Sequence, residues 1–539
     1  MLKNKKKIMK KYQIREKLII SFTVIFAIFS VIVFLNVILN NTTLFNVTKP
    51  MVIFIFSAIY IALISITYFL IKKYKKILKN EKIIIALIFI ALFIFQIIYS
   101  YNCYTEYGWD CGHVLKNAKN LSQNEIEFDA NYYMQYYNNI YVMLFFNIIY
   151  EICTILHIGN FLYATILINI IIVDLSIFIL YLVSKKVFGQ YGGIVAMIFS
   201  IPLLGMLPWI IVPYTDTLSM IFPILVFYLY LLMKENIDSN KKYILSILLG
   251  GILILGIFIK PTVIIVGIAI IIAEILNLKV TKEKIKYILK IVICILIGMV
   301  SVFCIANAYK NYKIGKFLSE EKIYELEFPM THFMMMGLKT FETADGKFAY
   351  GVFDQEDAAN TASYIGKDKK IKYNIEEIKA RLQEMGIKGY ISFSYKKLNW
   401  ILCDGSFFYG GEGNFFATEP FAKGKLAELA QSFSYLTSEN YYIYQSFMQA
   451  IWIIVQGFLV ISILDIKDSW KDKNILIVRL TITGICMFIV LFEGRSRYLI
   501  NHLLFFILLA TYGLMNIKYF KTIINNFKLM VKRKQKEVD

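Results

Sequence analysis

The chain has 539 residues, of which 58% are hydrophobic and 16% aromatic, and its mean hydropathy is +0.60. These values exclude an ordinary soluble globular protein and indicate a polytopic membrane protein. The formal net charge of +20 comes from basic residues scattered over tails and short loops. Because they form no single patch, we expect contact with anionic membrane lipids and no binding of nucleic acid.

Twelve apolar runs are long enough to cross about 30 Å of hydrocarbon, and they predict an all-α integral membrane fold. The first run is too long, and has the wrong flanks, for a cleaved signal peptide. The predicted spans are 18–40, 51–71, 83–101, 160–183, 192–212, 217–233, 243–259, 262–278, 288–308, 446–465, 475–492 and 499–516.

The distribution of Lys and Arg predicts the orientation, because cytoplasmic segments carry the excess of both. Residues 1–17 hold eight of them and residues 518–539 hold seven. Both termini are therefore predicted to be cytoplasmic, which requires an even number of spans. The long segment 309–445 holds 17 Lys and Arg against 18 Asp and Glu, as expected of an extracytoplasmic loop.

This topology divides the chain into four regions and leaves two insertions outside the cell membrane. The regions are a basic tail with a helical hairpin (1–71), a membrane core with a first outer loop at 102–159 (72–308), a large outer loop (309–445), and C-terminal helices with a basic tail (446–539).

Two helices are predicted within these insertions. Residues 140–156 are apolar but interrupted by Asn147 and Glu151, which favours a helix at the membrane interface over a thirteenth span. In the large loop, Asn374 as N-cap, acids in the first turn and Gly386 as a stop predict a short amphipathic helix. The rest of the loop is predicted to lie along the membrane, with a compact independent domain as the alternative.

Polar residues suited to group transfer collect at the outward ends of the spans. A carboxylate there could act as a general base, and cations could bind a lipid phosphate and stabilise it as a leaving group. The candidates are Asp110, Asp129, Asp216, Lys260, His332, Arg495 and Arg497, together with Tyr214 and an aromatic and amide run that includes Tyr137, Asn138 and Asn139.

Each candidate also has a structural interpretation. Asp110 and Asp129 could be solvated acids or helix caps, and Asp216 an N-cap. Lys260 could extend its ammonium group to the interface. Arg495 and Arg497 run against the charge rule for outer loops, which favours an anionic ligand.

Metal and disulfide sites are left open by the sequence. Asp110 and Asp129 could hold Mg²⁺ or Mn²⁺ through oxygen ligands, or arginine alone could neutralise the phosphate. No cysteines form a zinc-type pair. Cys103 and Cys111 could form a disulfide in an oxidising exterior or remain unpaired.

The order of these motifs resembles the GT-C superfamily of membrane glycosyltransferases, and within it proteins similar to protein O-mannosyltransferases and lipid A aminoarabinose transferases, in a Gram-positive branch. The motifs extend from residue 109 to 498. They are Trp109-Asp110 with Gly112, Tyr136-Tyr137-Asn138-Asn139, Pro213-Tyr214-Thr215-Asp216, Lys260-Pro261-Thr262, His332 with Met336-Gly337-Leu338, Trp400 with Asp404-Gly405, and Arg495-Ser496-Arg497-Tyr498.

The resemblance implies a GT-C-like fold and an inverting sugar transfer from a polyprenyl-phosphate donor to an extracytoplasmic hydroxyl, with Asp110 as the base. Acceptors of that branch would be a wall polymer such as teichoic acid or polysaccharide, or a protein or lipid. One departure is that two spans precede the loop with Asp110, so residues 18–71 would be an added hairpin.

Two other functions share the many spans. A polysaccharide polymerase or ligase would use an oligosaccharide on a diphosphate lipid. A flippase or transporter of lipid-linked sugars would bind substrate at the midplane between repeated halves, and no internal repeat is found in this sequence.

Overall fold

The protein is a bundle of apolar helices. The computed structural model describes residues 2–39, 46–73, 79–123, 128–236, 238–277, 281–342, 346–410, 419–464 and 471–516, so the predicted basic tail 518–539 lies outside the described residues. The described helices are α1 Leu2–Leu39, α2 Pro50–Lys73, α3 Glu81–Cys103, α4 Trp109–Ser122, α5 Ala130–Gln135, α6 Ile140–Ile155, α7 Phe161–Ser200, α8 Thr215–Leu218, α9 Ile221–Glu235, α10 Ser239–Ile259, α11 Ile264–Asn277, α12 Lys282–Ile314, α13 Glu320–Leu326, α14 Met330–Met336, α15 Gln355–Ala362, α16 Lys367–Leu402, α17 Lys425–Ser432, α18 Tyr441–Ile461, α19 Lys473–Leu491 and α20 Leu503–Met515.

The predicted all-α membrane architecture is confirmed. Among the described residues, eleven helical segments are long and apolar enough to cross a membrane, and Pro261–Asn277 is a shorter apolar helix. Each of the twelve predicted spans overlaps one of these helices or part of one. The first two helices both pack against α18, where Gln445 accepts from the Val47 N–H and Gln449 donates to the Val37 carbonyl, and their pairing as a hairpin stays a prediction.

Two predicted spans, 160–183 and 192–212, share the long segment Phe161–Gly205. Gly189 breaks it, with φ of 79° and ψ of −178°, a conformation that glycine adopts at little cost. After this break the chain returns along itself. The Asn169 amide donates to the Ile210 carbonyl at 2.8 Å, and Gly193 lies against the ring of Tyr181. The segment is therefore two antiparallel helices.

Close glycine contacts hold α10 against α12. A β-carbon on Gly250 would lie 2.0 Å from the Ile295 carbonyl oxygen, and one on Gly298 would lie 1.9 Å from that of Ile247. Small residues let two membrane helices approach backbone to backbone, where van der Waals packing replaces the hydrophobic drive available in water.

Charged groups lie at the two ends of the bundle. At one end, which we call the Glu81 end, Glu81 pairs with Lys185, and Glu274 pairs with Lys234 and Lys473. These residues all come from segments that the sequence places on one side of the membrane. The opposite end, which we call the Asp110 end, contains the candidate site.

Helix α6 begins and finishes at the Asp110 end. Asn139, just before it, bonds to Tyr132, which bonds to Asp110, and Asn160, just after it, donates to Tyr104 at the end of α3. Segment Tyr137–Ile155 has the length and composition of a span, but these contacts place both of its ends on one side. The geometry agrees with the predicted interfacial helix.

The large loop packs onto the membrane helices. The Lys397 ammonium donates to the carbonyls of Phe492 (2.6 Å) and Gly337 (2.7 Å), and the Tyr395 hydroxyl donates to Asn36 of α1. The loop therefore packs against the bundle, and its course along the membrane stays a prediction. It also contains a small antiparallel hairpin, Thr340–Glu342 with Phe348–Tyr350, in which Thr340 pairs with Tyr350.

The helix predicted at Asn374 has a different start. It begins at Lys367, and Asn374 lies inside it, buried and bonded to Thr361 and Thr331. The prediction that Asn374 is the N-cap is therefore wrong, because its side-chain amide bonds to Thr361 and Thr331 in other segments of the loop. The predicted stop at Gly386 is a break with φ of 59°, after which the helix continues to Leu402.

The two ends of the bundle can be distinguished by labelling. We expect a cysteine in place of exposed Lys369 to react with a membrane-impermeant thiol reagent in intact cells, and one in place of exposed Lys471 to react only after permeabilisation, because the charge rule places them on opposite sides. The unmodified chain, with its exposed Cys304, gives the background. The reverse pattern would overturn the predicted orientation.

Candidate functional site

The loop that carries Asp110 is a tight turn after α3. Trp109 adopts φ of 50° and opens α4, a left-handed conformation that costs free energy for a residue other than glycine. A β-carbon on Gly112 would lie 1.8 Å from the Tyr107 carbonyl oxygen, so that position requires glycine. The Tyr107 hydroxyl donates to the Ile211 carbonyl. These contacts hold the turn against its neighbours and do not involve Asp110.

Two tyrosine hydroxyls donate to the partly exposed Asp110 carboxylate. Tyr132 donates to Oδ1 at 2.6 Å and Tyr214 to Oδ2 at 3.4 Å. Asn139 connects the two tyrosines, since its amide donates to the Tyr132 oxygen at 2.6 Å and its carbonyl lies 3.2 Å from the Tyr214 hydroxyl. The carboxylate is held in place but remains accessible, as a general base must be.

A buried ion cluster lies on the other side of Tyr214. Asp216, of which 1% is exposed, pairs with Arg497 at 2.6 Å and with Lys260. Buried ions are tolerated only when they are paired in good geometry. Two cations share the Asp216 carboxylate, and a second buried carboxylate, Glu493, is bonded to Tyr498, whose ring contacts both cations. The Arg497 guanidinium lies 5.8 Å from the Tyr214 ring centroid, so one tyrosine contacts both the cluster and Asp110.

Tyr137 and Asn138 lie at the edge of this network. The Tyr137 hydroxyl accepts from Lys310 at 2.6 Å, and the exposed Asn138 donates to Asn139 at 3.2 Å. Lys310 was not among the predicted residues. Its position two residues beyond a predicted span is typical of an ordinary flanking lysine, so the sequence gave no signal for it.

Asp129 has separate partners. It caps α5 by accepting from the Tyr132 backbone N–H at 3.1 Å, and its other oxygen lies 3.5 Å from His113. Burial lowers the pKa of His113, against the opposing effect of Asp129 and Asp110. Within the described residues no group of three His, Cys, Asp or Glu side chains could hold a metal ion. A Mg²⁺ or Mn²⁺ site on Asp110 and Asp129 remains a prediction.

Arg495 lies beside the site but outside the ion cluster. Its guanidinium is 5.3 Å from the ring centroid of Trp109, the residue before Asp110. Trp109 is 38% exposed, and a cation over an indole ring is a favourable contact. Arg495 therefore contacts Trp109, the residue before Asp110, whereas Arg497 contacts Tyr214, which donates to Asp110.

His332 is not brought to this network. It is fully buried, its Nδ1 lies 2.8 Å from the Thr361 hydroxyl, and its ring stacks on Phe328. Burial lowers the pKa of His332 to about 4. The imidazole is therefore neutral at pH 7 and supplies no positive charge for a phosphate, which was its predicted role.

The two outer-loop cysteines that could have formed a disulfide are free and buried. Cys111 lies 3.7 Å from the Pro213 carbonyl oxygen and Cys103 lies 3.5 Å from the Ser434 hydroxyl. These separate contacts agree with the unpaired alternative.

The pairing in the ion cluster predicts which of two substitutions destabilises the protein more. Asp216→Asn removes the carboxylate with which both Lys260 and Arg497 pair, which should cost about 3–5 kcal/mol. Lys260→Met leaves the neutral pair of Arg497 and Asp216, so its loss should be clearly smaller. Melting temperatures of the purified variants in detergent would measure both. Equal stability of Asp216→Asn and the parent chain would contradict the pairing.

Comparison with known proteins assigns the chain to a protein family. No curated protein matches it, and no solved structure matches it. A family model described as "Conserved hypothetical integral membrane protein" matches residues 6–517, which is nearly the whole chain and includes every residue of the network around Asp110. The chain belongs to this family of integral membrane proteins.

Proposed function

We propose that the protein is a membrane glycosyltransferase of the GT-C type that moves a sugar from a polyprenyl-phosphate donor to an acceptor hydroxyl. One observation supports this more than any other: the accessible Asp110 carboxylate is joined through Tyr214 to a buried cluster in which two cations, Lys260 and Arg497, share the Asp216 carboxylate. A base and an anion site side by side are the two groups that such a transfer needs.

In the proposed step the acceptor oxygen attacks the anomeric carbon from the face opposite the phosphate. A bond forms between that oxygen and the carbon, and the hydroxyl proton passes to Asp110. The bond from the carbon to the phosphate oxygen breaks, and its electron pair leaves with the polyprenyl phosphate. The configuration at the anomeric carbon is inverted.

The cations act on the leaving group. The donor phosphate is a diester that becomes a monoester and gains negative charge as its bond to the sugar breaks, and fixed cations near it lower the barrier because they need not reorganise. Asp216 holds Lys260 and Arg497 in place. Arg495, over Trp109, is the third cation in reach of a phosphate placed beside Asp110.

A lipid-borne donor fits the position of the cluster. Asp216 lies before α9, Lys260 directly after α10 and Arg497 between α19 and α20, all at the ends of apolar helices. A phosphate there would have its polyprenyl chain in the membrane. By the charge rule we assign the Asp110 end to the outer face of the cell membrane and both termini to the cytoplasm.

The acceptor class follows from the same assignment. An outer-face enzyme of the branch that the sequence resembles would act on a wall polymer such as teichoic acid or polysaccharide, or on a protein or lipid hydroxyl. Comparing wall-polymer sugars of a deletion strain with the parent strain tests this. We expect loss of one side-chain sugar and accumulation of its monophosphate lipid carrier. Accumulation of a diphosphate-linked oligosaccharide instead would indicate a polymerase or ligase.

Asp110 can be tested in isolation. Asp110→Asn keeps the size of the side chain and removes the base, so transfer in membrane vesicles should fall by about 10²–10⁴-fold while the protein remains inserted and binds the lipid donor. Glu106→Gln, at an exposed acid four residues earlier, is the matched control and should transfer normally. Near-normal transfer by Asp110→Asn would make Asp110 a structural acid.

A further inference from the structure

Lys310 of α12 is a buried lysine with a neutral partner. Only 9% of its surface is exposed, its ammonium donates to the Tyr137 hydroxyl at 2.6 Å, and it lies 5.2 Å from the centroid of the same ring. One turn later, Lys313 pairs with Glu151. In the part of the chain that the structure describes, no carboxylate forms an ion pair with Lys310.

This cation lies at the same end of the bundle as Asp110. Helices α10 and α12 are neighbours that run parallel, since Gly250 lies against Ile295 and the rings of Phe258 and Phe303 meet at 5.9 Å. Lys260 follows Phe258 by two residues. Lys310 comes seven residues after Phe303, which is a rise of about 10 Å along the helix axis. Lys310 therefore lies at the level of Lys260 or beyond it.

A continuous set of contacts leads from Lys310 to the proposed base. Tyr137 opens the short 3₁₀ turn Tyr137–Asn139. Asn139, which closes that turn, is bonded to both tyrosines that donate to Asp110. Lys310 is therefore connected to Asp110 through the Tyr137–Asn139 turn and the hydrogen bonds of Asn139. This route does not include Asp216.

A buried cation without a counterion is costly, and a phenol oxygen and ring recover only part of that cost. The ammonium has three N–H donors, and one of them bonds to Tyr137. Because the Tyr137 oxygen accepts from Lys310, its own proton is available for an anion that approaches Lys310. The exposed Asn138 amide lies next to it in the chain.

We propose that Lys310, Tyr137 and Asn138 form a second anion subsite, distinct from the cluster around Asp216, that binds a phosphate group of a substrate. The phosphate can come from two sources, a prenyl-phosphate lipid or a phosphate-containing acceptor polymer. The assignment to a substrate rests on the proposed glycosyl transfer, whereas the binding of phosphate does not.

The test uses the purified full-length chain in detergent and measures binding of two probes, geranylgeranyl phosphate and a short poly(glycerol phosphate). Lys310→Gln should lose at least about tenfold in affinity for one of them, since a charge-assisted bond is removed, and Lys310→Arg should retain most of it. Lys313→Gln, at the neighbouring paired lysine, is the matched control and should bind like the parent chain. A loss confined to the lipid probe assigns the subsite to the donor, and a loss confined to the polymer assigns it to the acceptor.

A second measurement separates binding from folding. Removing an uncompensated buried charge should leave the melting temperature of ligand-free Lys310→Gln unchanged or raise it. A lower melting temperature together with unchanged affinity for both probes would show that Lys310 has only a structural role, and would overturn the proposal.

The binding assay also distinguishes the two proposals. Asp110→Asn should keep the Lys310-dependent affinity, since Asp110 is assigned to chemistry and not to this anion. If the probes bind through Lys310 and no sugar transfer is detected with the parent protein, the proposed function fails and the subsite stands. If transfer occurs and Lys310→Gln binds both probes normally, the subsite fails alone.

Discussion

The architecture of the Asp110 end depends on one buried ion cluster. Asp216, Lys260 and Arg497 come from chain segments at the ends of different membrane helices, and all three are largely withdrawn from solvent. Because none of these charges is tolerated there alone, the cluster fixes the relative positions of those helices. Tyr214 lies two residues before Asp216, and its hydroxyl donates to Asp110. The cluster therefore also helps to position Asp110.

The site combines this rigidity with access. Asp110 lies on a turn fixed by the Gly112 contact and the Tyr107 hydroxyl, yet its carboxylate is partly exposed. Groups that bind or transfer protons are most effective when the surrounding structure holds them in place before substrate arrives. The segment 309–445 contributes to this order, since Lys397 donates to the Phe492 carbonyl just before the loop with Arg497.

Much of this could be predicted from sequence. Apolar runs and basic segments predict the helices and the grouping of their ends, because both reflect the thickness and chemistry of the membrane. Asp110, Asp216, Lys260 and Arg497 were also predicted, but their pairing was not: Lys260 and Arg497 were assigned to a phosphate, whereas both pair with Asp216. His332 and Lys310 depend on tertiary neighbours that no local pattern reports, so the first was grouped with the phosphate-binding residues and the second was overlooked.

A structure of the protein with a bound non-hydrolysable polyprenyl-phosphate sugar would show whether the Asp110 end is a glycosyl-transfer site. We expect the phosphate in contact with Arg497 and within reach of Lys260 and Arg495, the polyprenyl chain in the membrane, and the anomeric carbon facing the Asp110 carboxylate with room for an acceptor oxygen between them. A sugar bound at the midplane of the bundle, or a phosphate at the Glu81 end, would contradict this expectation.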